Sequence, residues 1–192
     1  MKYKVFVHVA LFTGFRRSET MGLEWKDIDL DNNVIKLCRT SQYTSGKGIF
    51  TSLILKDGSP SRTVTIPRGT TALLKAYKEY QDNQKNKAGD KWEEHDRLFT
   101  QDDGKPMHPD TPYQWFTDFL VEKGLPKITV HQLRHTHISL LIYNGMDIVA
   151  VSKRAGHKKV STTVDIYAHV IEKADYEGAN RLEKMFYAEA NV

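Results

Sequence analysis

The chain has 192 residues, 40% of them hydrophobic, and a formal net charge of +4, enough for one sizeable domain with its own core. No apolar run approaches the ~18 residues of a membrane-spanning helix. Cys38 is the only cysteine, which excludes an intrachain disulfide and points to a reducing compartment. Residues 2–13, with Lys2, Lys4 and His8 among the apolar positions, are too mixed for a signal peptide, and none is expected.

Val5, Val9 and Phe12, with Phe6 and Ala10 alongside, repeat at helical spacing over residues 2–13, and Gly14 is placed to end that helix. Residues 20–26 continue as a short helix. Ile28 and Leu30, then Val34, Ile35 and Leu37, bracket Asp31-Asn32-Asn33 as two strands around a tight turn. The polar stretch from Ser41 to Gly48 is expected to be a mobile loop. Further strands are expected at Ile49–Leu55 and Arg62–Ile66, joined by the turn Lys56-Asp57-Gly58-Ser59-Pro60. Thr70–Gln84 reads as a helix with Leu73, Leu74, Tyr77 and Tyr80 inward, and residues 83–96 as a solvated loop. Asp110–Lys123 is a helix with Trp115, Phe116, Phe119 and Leu120 on its apolar face, ended by Gly124. The fold class is therefore mainly α with a small antiparallel β-sheet, with no internal repeat and no linker dividing the chain.

Residues 131–143 form the next helix, with Leu133, Leu140 and Leu141 toward the core. Asp147 caps another that runs to about Ala155 over Ile148, Val149 and Val151. Ser161 is a candidate N-cap for a short helix carrying Tyr167, and a last helix spans Lys173–Ala188, with Tyr176, Leu182, Met185 and Phe186 as an apolar side. Within this region His131 and Arg134 lie three apart, on one helix face. A guanidinium beside an imidazole is a natural clamp for a phosphate, since the first binds two oxygens and the second exchanges a proton near neutral pH. His131 and His135 form an i, i+4 pair, but Gln132 stands where a zinc-protease motif needs Glu. His135 and His137 are read as local hydrogen-bonding residues, and no metal site is assigned.

Charge is unevenly spread. From Lys36 to Arg68 the only acid is Asp57, against Lys36, Arg39, Lys47, Lys56, Arg62 and Arg68. From Val149 to Thr163 there are Lys153, Arg154, Lys158 and Lys159 and no acid. Two cationic stretches suggest a basic face for a polyanion.

His131-Gln-Leu-Arg134-His-Thr, Ala155-Gly156-His157 and Thr163-Val-Asp-Ile-Tyr167-Ala-His resemble the C-terminal signature of the tyrosine recombinase (phage integrase) family. Upstream, Thr13-Gly14-Phe15-Arg16-Arg17-Ser18-Glu19 is similar to the segment that supplies that family's first catalytic arginine. The resemblance implies the catalytic set Arg16, Lys56, His131, Arg134, His157 and Tyr167, with Glu19 as a supporting carboxylate. For Lys56 the match lies in a lysine followed by a turn and Ser61-Arg62, although Asp57 stands where threonine is common and Pro60 is an insertion. Tyr167 would attack a DNA phosphate, leaving a 3′-phosphotyrosine and a free 5′-hydroxyl and needing no cofactor. His131 would be the general base, Lys56 the general acid, and His157 a hydrogen-bond donor to the phosphate. Candidate DNA-binding residues are Arg17, Arg39, Lys47, Arg62, Lys153, Arg154, Lys158 and Lys159.

The resemblance further implies double-stranded DNA as partner, a bacterial cytoplasmic, nucleoid-associated location, a monomer alone and a homotetramer on paired sites. Residues 1–192 are expected to be a single catalytic domain without the N-terminal DNA-binding domain such proteins carry. A type IB topoisomerase-like enzyme and a non-catalytic DNA-binding module of the same fold are the rival readings.

Overall fold

The computed structural model describes residues 1–53 and 61–187, the side chains of 169–174 excepted. Helix α1 (Lys2–Thr13) leads through α2 (Arg17–Met21) and a 3-10 turn at Trp25–Asp27 into strands β1 (Ile28–Asp29), β2 (Val34–Leu37), β3 (Thr40–Thr44), β4 (Gly48–Ser52) and β5 (Arg62–Thr65). Helices α3 (Arg68–Ala88), α4 (Thr111–Glu122), α5 (Val130–Tyr143), α6 (Ile148–Ala155) and α7 (Val160–Tyr187) follow. The expected class, helices with a small antiparallel sheet, is the one observed.

Strands β1, β2 and β5 form one antiparallel sheet in that order, with Ile35 opposite Val64. Alternation decides its faces: Ile35, Leu37 and Val64 are buried, while Lys36, Thr63 and Thr65 are exposed. These side chains join Val5, Phe6 and Val9 of α1, Leu74 and Tyr77 of α3, and Phe116 and Leu120 of α4 in the main core. Ile138 and Ile142 of α5, Val151 and Ala155 of α6, and Tyr167 of α7 form a second cluster. Helix α5, capped reciprocally by Thr129 and Gln132, contributes to both.

Several sequence expectations need correction. Ser41–Gly48 is not a loop: β3 pairs with β4 from Thr40 opposite Ser52 to Thr44 opposite Gly48. Its residues carry no period-2 apolar pattern, because tertiary contact rather than burial of large side chains fixes the strand. A Cβ on Gly22 would lie 2.8 Å from the Cα of Thr40, so β3 packs directly on backbone. Among the described residues β4 and β5 belong to different sheets; the turn expected between them, Lys56 included, lies outside the described residues.

Helix α3 runs on to Ala88, where a loop was expected. Leu140 and Val149 are 53% and 40% exposed, not core. Ser161 lies inside α7, which starts at Val160 and continues to Tyr187 as one helix with a break at Tyr167 (φ −114°, ψ 17°). The aromatic side of its last turns does not complete the domain core: Tyr176, Leu182, Met185 and Phe186 are 57–77% exposed. Among the described residues no helix is long and apolar enough to cross a membrane.

Candidate active site

The end of α1 sets the floor of the site. Gly14 closes the helix at φ 68°, and its carbonyl accepts a 2.6 Å hydrogen bond from Nη1 of Arg134 on α5. A residue with a Cβ there would be strained and would strike the His137 ring. Two residues on, the backbone N–H of Arg16 donates to Oε2 of Glu19 at 2.8 Å, and its Nη1 pairs with Oε1 at 3.0 Å. Glu19 is wholly buried and takes a second guanidinium, Nη2 of Arg62 from β5, at 2.8 Å. Burial alone would raise the Glu19 pKa, but the charge and hydrogen bonds of Arg62, then those of Arg16, outweigh it and hold the carboxyl below its ordinary value.

Arg134 is almost completely buried, and its Nη2 has no hydrogen-bond partner among the described residues. Its pKa falls to about 10, first through burial, then through the charge of Arg16, with Glu19 opposing. A guanidinium so placed is still charged at neutral pH, and an unmet buried donor is costly until an anion or water meets it.

His157 follows Gly156, whose φ of 72° ends α6; a Cβ on Gly156 would fall on the Arg62 guanidinium. The His157 Nδ1 shares a 2.7 Å hydrogen bond with the hydroxyl of Thr163. Burial, followed by the charges of Arg134, Arg16 and Arg62, lowers its pKa to about 4. Tyr167 packs its ring in the second apolar cluster, and its hydroxyl meets Nδ1 of His135 at 2.6 Å. Burial raises the phenol's pKa, against the charge of Arg134. His131 is exposed, edge to face with His135 at 4.7 Å between ring centroids. Together with Arg16 and Arg17 it lines a cleft of about 320 Å³ at the N-terminus of α5.

Arg16, Glu19, Arg134, His157 and Tyr167 therefore converge from α2, α5, the α6–α7 turn and α7, with His131 at the edge; Lys56 lies outside the described residues. The expected DNA-binding cations divide. Lys47, Lys153, Lys158 and Lys159 are exposed, and Arg17 is exposed and paired with Asp110. Three others are engaged by partners within the protein. Arg39 is buried against Asp27 at 2.5 Å and Glu24 at 2.6 Å. Arg62 holds Glu19 and donates from Nε to the Arg154 carbonyl at 2.9 Å. Arg154 donates to Nε2 of His137 at 3.1 Å and to the carbonyls of Phe12 and Thr65.

Sequence reading missed the contact of His135 with Tyr167 and the part of Arg62 in holding Glu19. The i, i+4 spacing of His131 and His135 was the only signal for the first. Among the described residues no group of three or more His, Cys, Asp or Glu could hold a metal ion.

The model of the phage integrase family matches residues 1–174. The chain is 31% identical to the ICEBs1 integrase of Bacillus subtilis over 183 residues, covering 95% of this chain and 49% of that protein. It is 33% identical to the integrase of Staphylococcus phage L54a, covering 94% of this chain and 51% of that one. Among solved structures, the Tn1549 transposon integrase in complex with transposon right end DNA superposes with a TM-score of 0.76 at 25% identity, covering 94% of this chain and 59% of that one. The chain thus spans about half the length of the curated relatives it matches. With a matching family model over most of its length, the chain belongs to the phage integrase family.

Proposed function

We propose that this chain is the catalytic domain of a site-specific DNA recombinase, in which Tyr167 cleaves a DNA strand and the strand is rejoined to a partner. The observation that carries the reading is the buried Arg134, with an unmet Nη2 donor, next in the chain to His135, whose Nδ1 lies 2.6 Å from the Tyr167 hydroxyl. A scissile phosphate meeting Nη2 would lie beside the phenol. Arg16, held by Glu19, supplies a second guanidinium, and His157 a hydrogen bond, to non-bridging oxygens on which charge develops. His131 lies within the first turn of α5, where the helix dipole also favours an anion. Lys56 is proposed to protonate the leaving 5′-oxygen.

Double-stranded DNA is the proposed substrate, engaged by the exposed Lys47, Lys153, Lys158 and Lys159. Support comes from the Tn1549 integrase, which was solved with transposon DNA, and from the integrases among the relatives. We further propose a monomer in free solution and a tetramer on paired sites for the longer protein. The bacterial cytoplasm is the proposed location, the compartment where its DNA resides.

The test is a covalent trap. The chain is incubated with a pool of nicked duplexes of varied sequence, from which a cleaved 5′ fragment diffuses away, and denatured. A protein–DNA band that Tyr167→Phe abolishes while DNA binding persists is the expected result. An equal band from the Phe variant would overturn the assignment of the nucleophile.

A further inference from the structure

We propose that His135 is the proton acceptor for Tyr167: its Nδ1 holds the phenolic hydroxyl before attack and takes the proton as the new bond to phosphorus forms. The proposal rests on the reading of Tyr167 as nucleophile and deepens it.

Geometry carries the case. The hydroxyl lies 2.6 Å from Nδ1, with ring centroids 5.7 Å apart. Both partners are fixed. The Tyr167 ring is clamped among Ile138, Ile142, Val151 and Ala155, and the local departure of α7 from helical backbone falls at Tyr167 itself (φ −114°, ψ 17°). His135, Ile138 and Ile142 recur at spacings of three and four, so they share one face of α5. The face that buries the ring therefore also presents an acceptor to its polar end, immediately after Arg134. His131, one turn earlier, is exposed and better placed to meet the phosphate from the cleft it shares with Arg16.

The ordinary protonation states fit a donor–acceptor pair. Burial, then the charge of Arg134, favours neutral imidazole at His135, while burial keeps the phenol protonated. Among the described residues, the titratable and charged groups facing His135 are His131 and Arg134 on α5, Tyr167 on α7 and His157 from the α6–α7 turn. An arriving phosphodiester anion would offset the Arg134 charge and make the imidazole more basic at the moment of need.

In the forward step the Oη–P bond forms and the P–O5′ bond breaks. The phenolic proton passes to Nδ1, giving an imidazolium, and the 5′-oxygen takes its proton from the general acid, the role proposed for Lys56. In rejoining, the imidazolium returns its proton to the departing phenolate.

The test is single-turnover cleavage of the nicked-duplex pool between about pH 5 and 9. His135→Asn keeps an acceptor near the Nδ1 position but cannot take a proton. Its rate at neutral pH is expected to fall on the order of 100-fold and to climb with pH where the unaltered chain reaches a plateau. His131→Asn is expected to slow the reaction yet keep the plateau. An unchanged His135→Asn rate, or a uniform loss with the plateau intact, would overturn the proposal. If the unaltered chain forms no Tyr167-dependent adduct, the nucleophile reading fails and this one with it. An independent arm needs neither variant nor DNA. Nitrogen NMR of the chain is expected to find His135 protonated at Nε2 and accepting at Nδ1; the opposite tautomer would refute the assignment.

Discussion

At the scale of single residues, the arginines and lysines do different work, and exposure separates them. Arg39 neutralises Glu24 and Asp27 inside the protein, whereas Lys153, Lys158 and Lys159 face solvent on and after α6. Arg39→Gln would leave the nearly buried Asp27 without its guanidinium, while Glu24 keeps Lys26 at 2.7 Å and Arg97 at 3.9 Å, and a loss of about 3 kcal/mol in denaturant unfolding is expected. Changing Lys153, Lys158 and Lys159 together to Gln should leave the unfolding midpoint nearly unchanged. Instead, the steepness with which DNA affinity falls with log salt should drop by about 0.9 for each phosphate no longer neutralised. Titrating DNA binding at several salt concentrations separates the two outcomes. Composition made all of these cations look alike; only their neighbours distinguish them.

At the scale of elements, α5 and α7 organise the site. One face of α5 offers His131, Arg134 and His135 in its first two turns and Ile138 and Ile142 beyond, so polar chemistry grades into apolar packing along a single helix. Helix α7 delivers Tyr167 from its first half, while its second half presents Tyr176, Leu182, Met185 and Phe186 to solvent. An exposed apolar row of this size suits contact with another chain better than with water. Replacing Leu182, Met185 and Phe186 by Ser should change monomer stability by less than about 0.5 kcal/mol, while lowering self-association on DNA, read by sedimentation. A large loss of monomer stability would mean that the row packs on its own chain.

For the whole molecule, the buried charges set how stability varies with pH. The folded pKa of His157 falls from 6.5 to about 4. That of His137 does the same, through burial first and the charge of Arg154 second. Both rings fold neutral, so the unfolded chain binds more protons between these values. Their contribution is fully present above pH 6.5 and is lost as pH falls toward about 4. Glu19, whose folded pKa lies below 4.5, contributes above that value and loses its contribution as pH falls through its folded pKa. All three act in one direction. Denaturant unfolding is expected to show stability falling steadily from about pH 6.5 downward; stability rising over that range would contradict the burial of these groups.

Much of this was legible in the chain itself. Helical spacing gave α1 and α4, since an apolar stripe reflects the face each must bury, and Gly14 and Gly156 marked helix ends through a backbone conformation other residues avoid. The pieces around Arg16, Arg134, His157 and Tyr167 were legible as a set because each belongs to a short local motif. What the sequence could not hold was long-range pairing. Strand β3 carries no alternation of its own and exists because Gly22 admits backbone at contact distance. Arg62 reads as one more cation in a basic stretch until the fold sets it on Glu19, 43 positions away. The contact of His135 with Tyr167 spans 32 positions. Sequence by itself determined the helix ends at Gly14 and Gly156 and which side chains have the chemical type to bind or attack a phosphate, because those depend on residue type and on neighbours within a few positions. Only the tertiary structure decided which charges are neutralised inside and which histidine the tyrosine meets, because burial and Coulomb interaction depend on distance in space rather than along the chain.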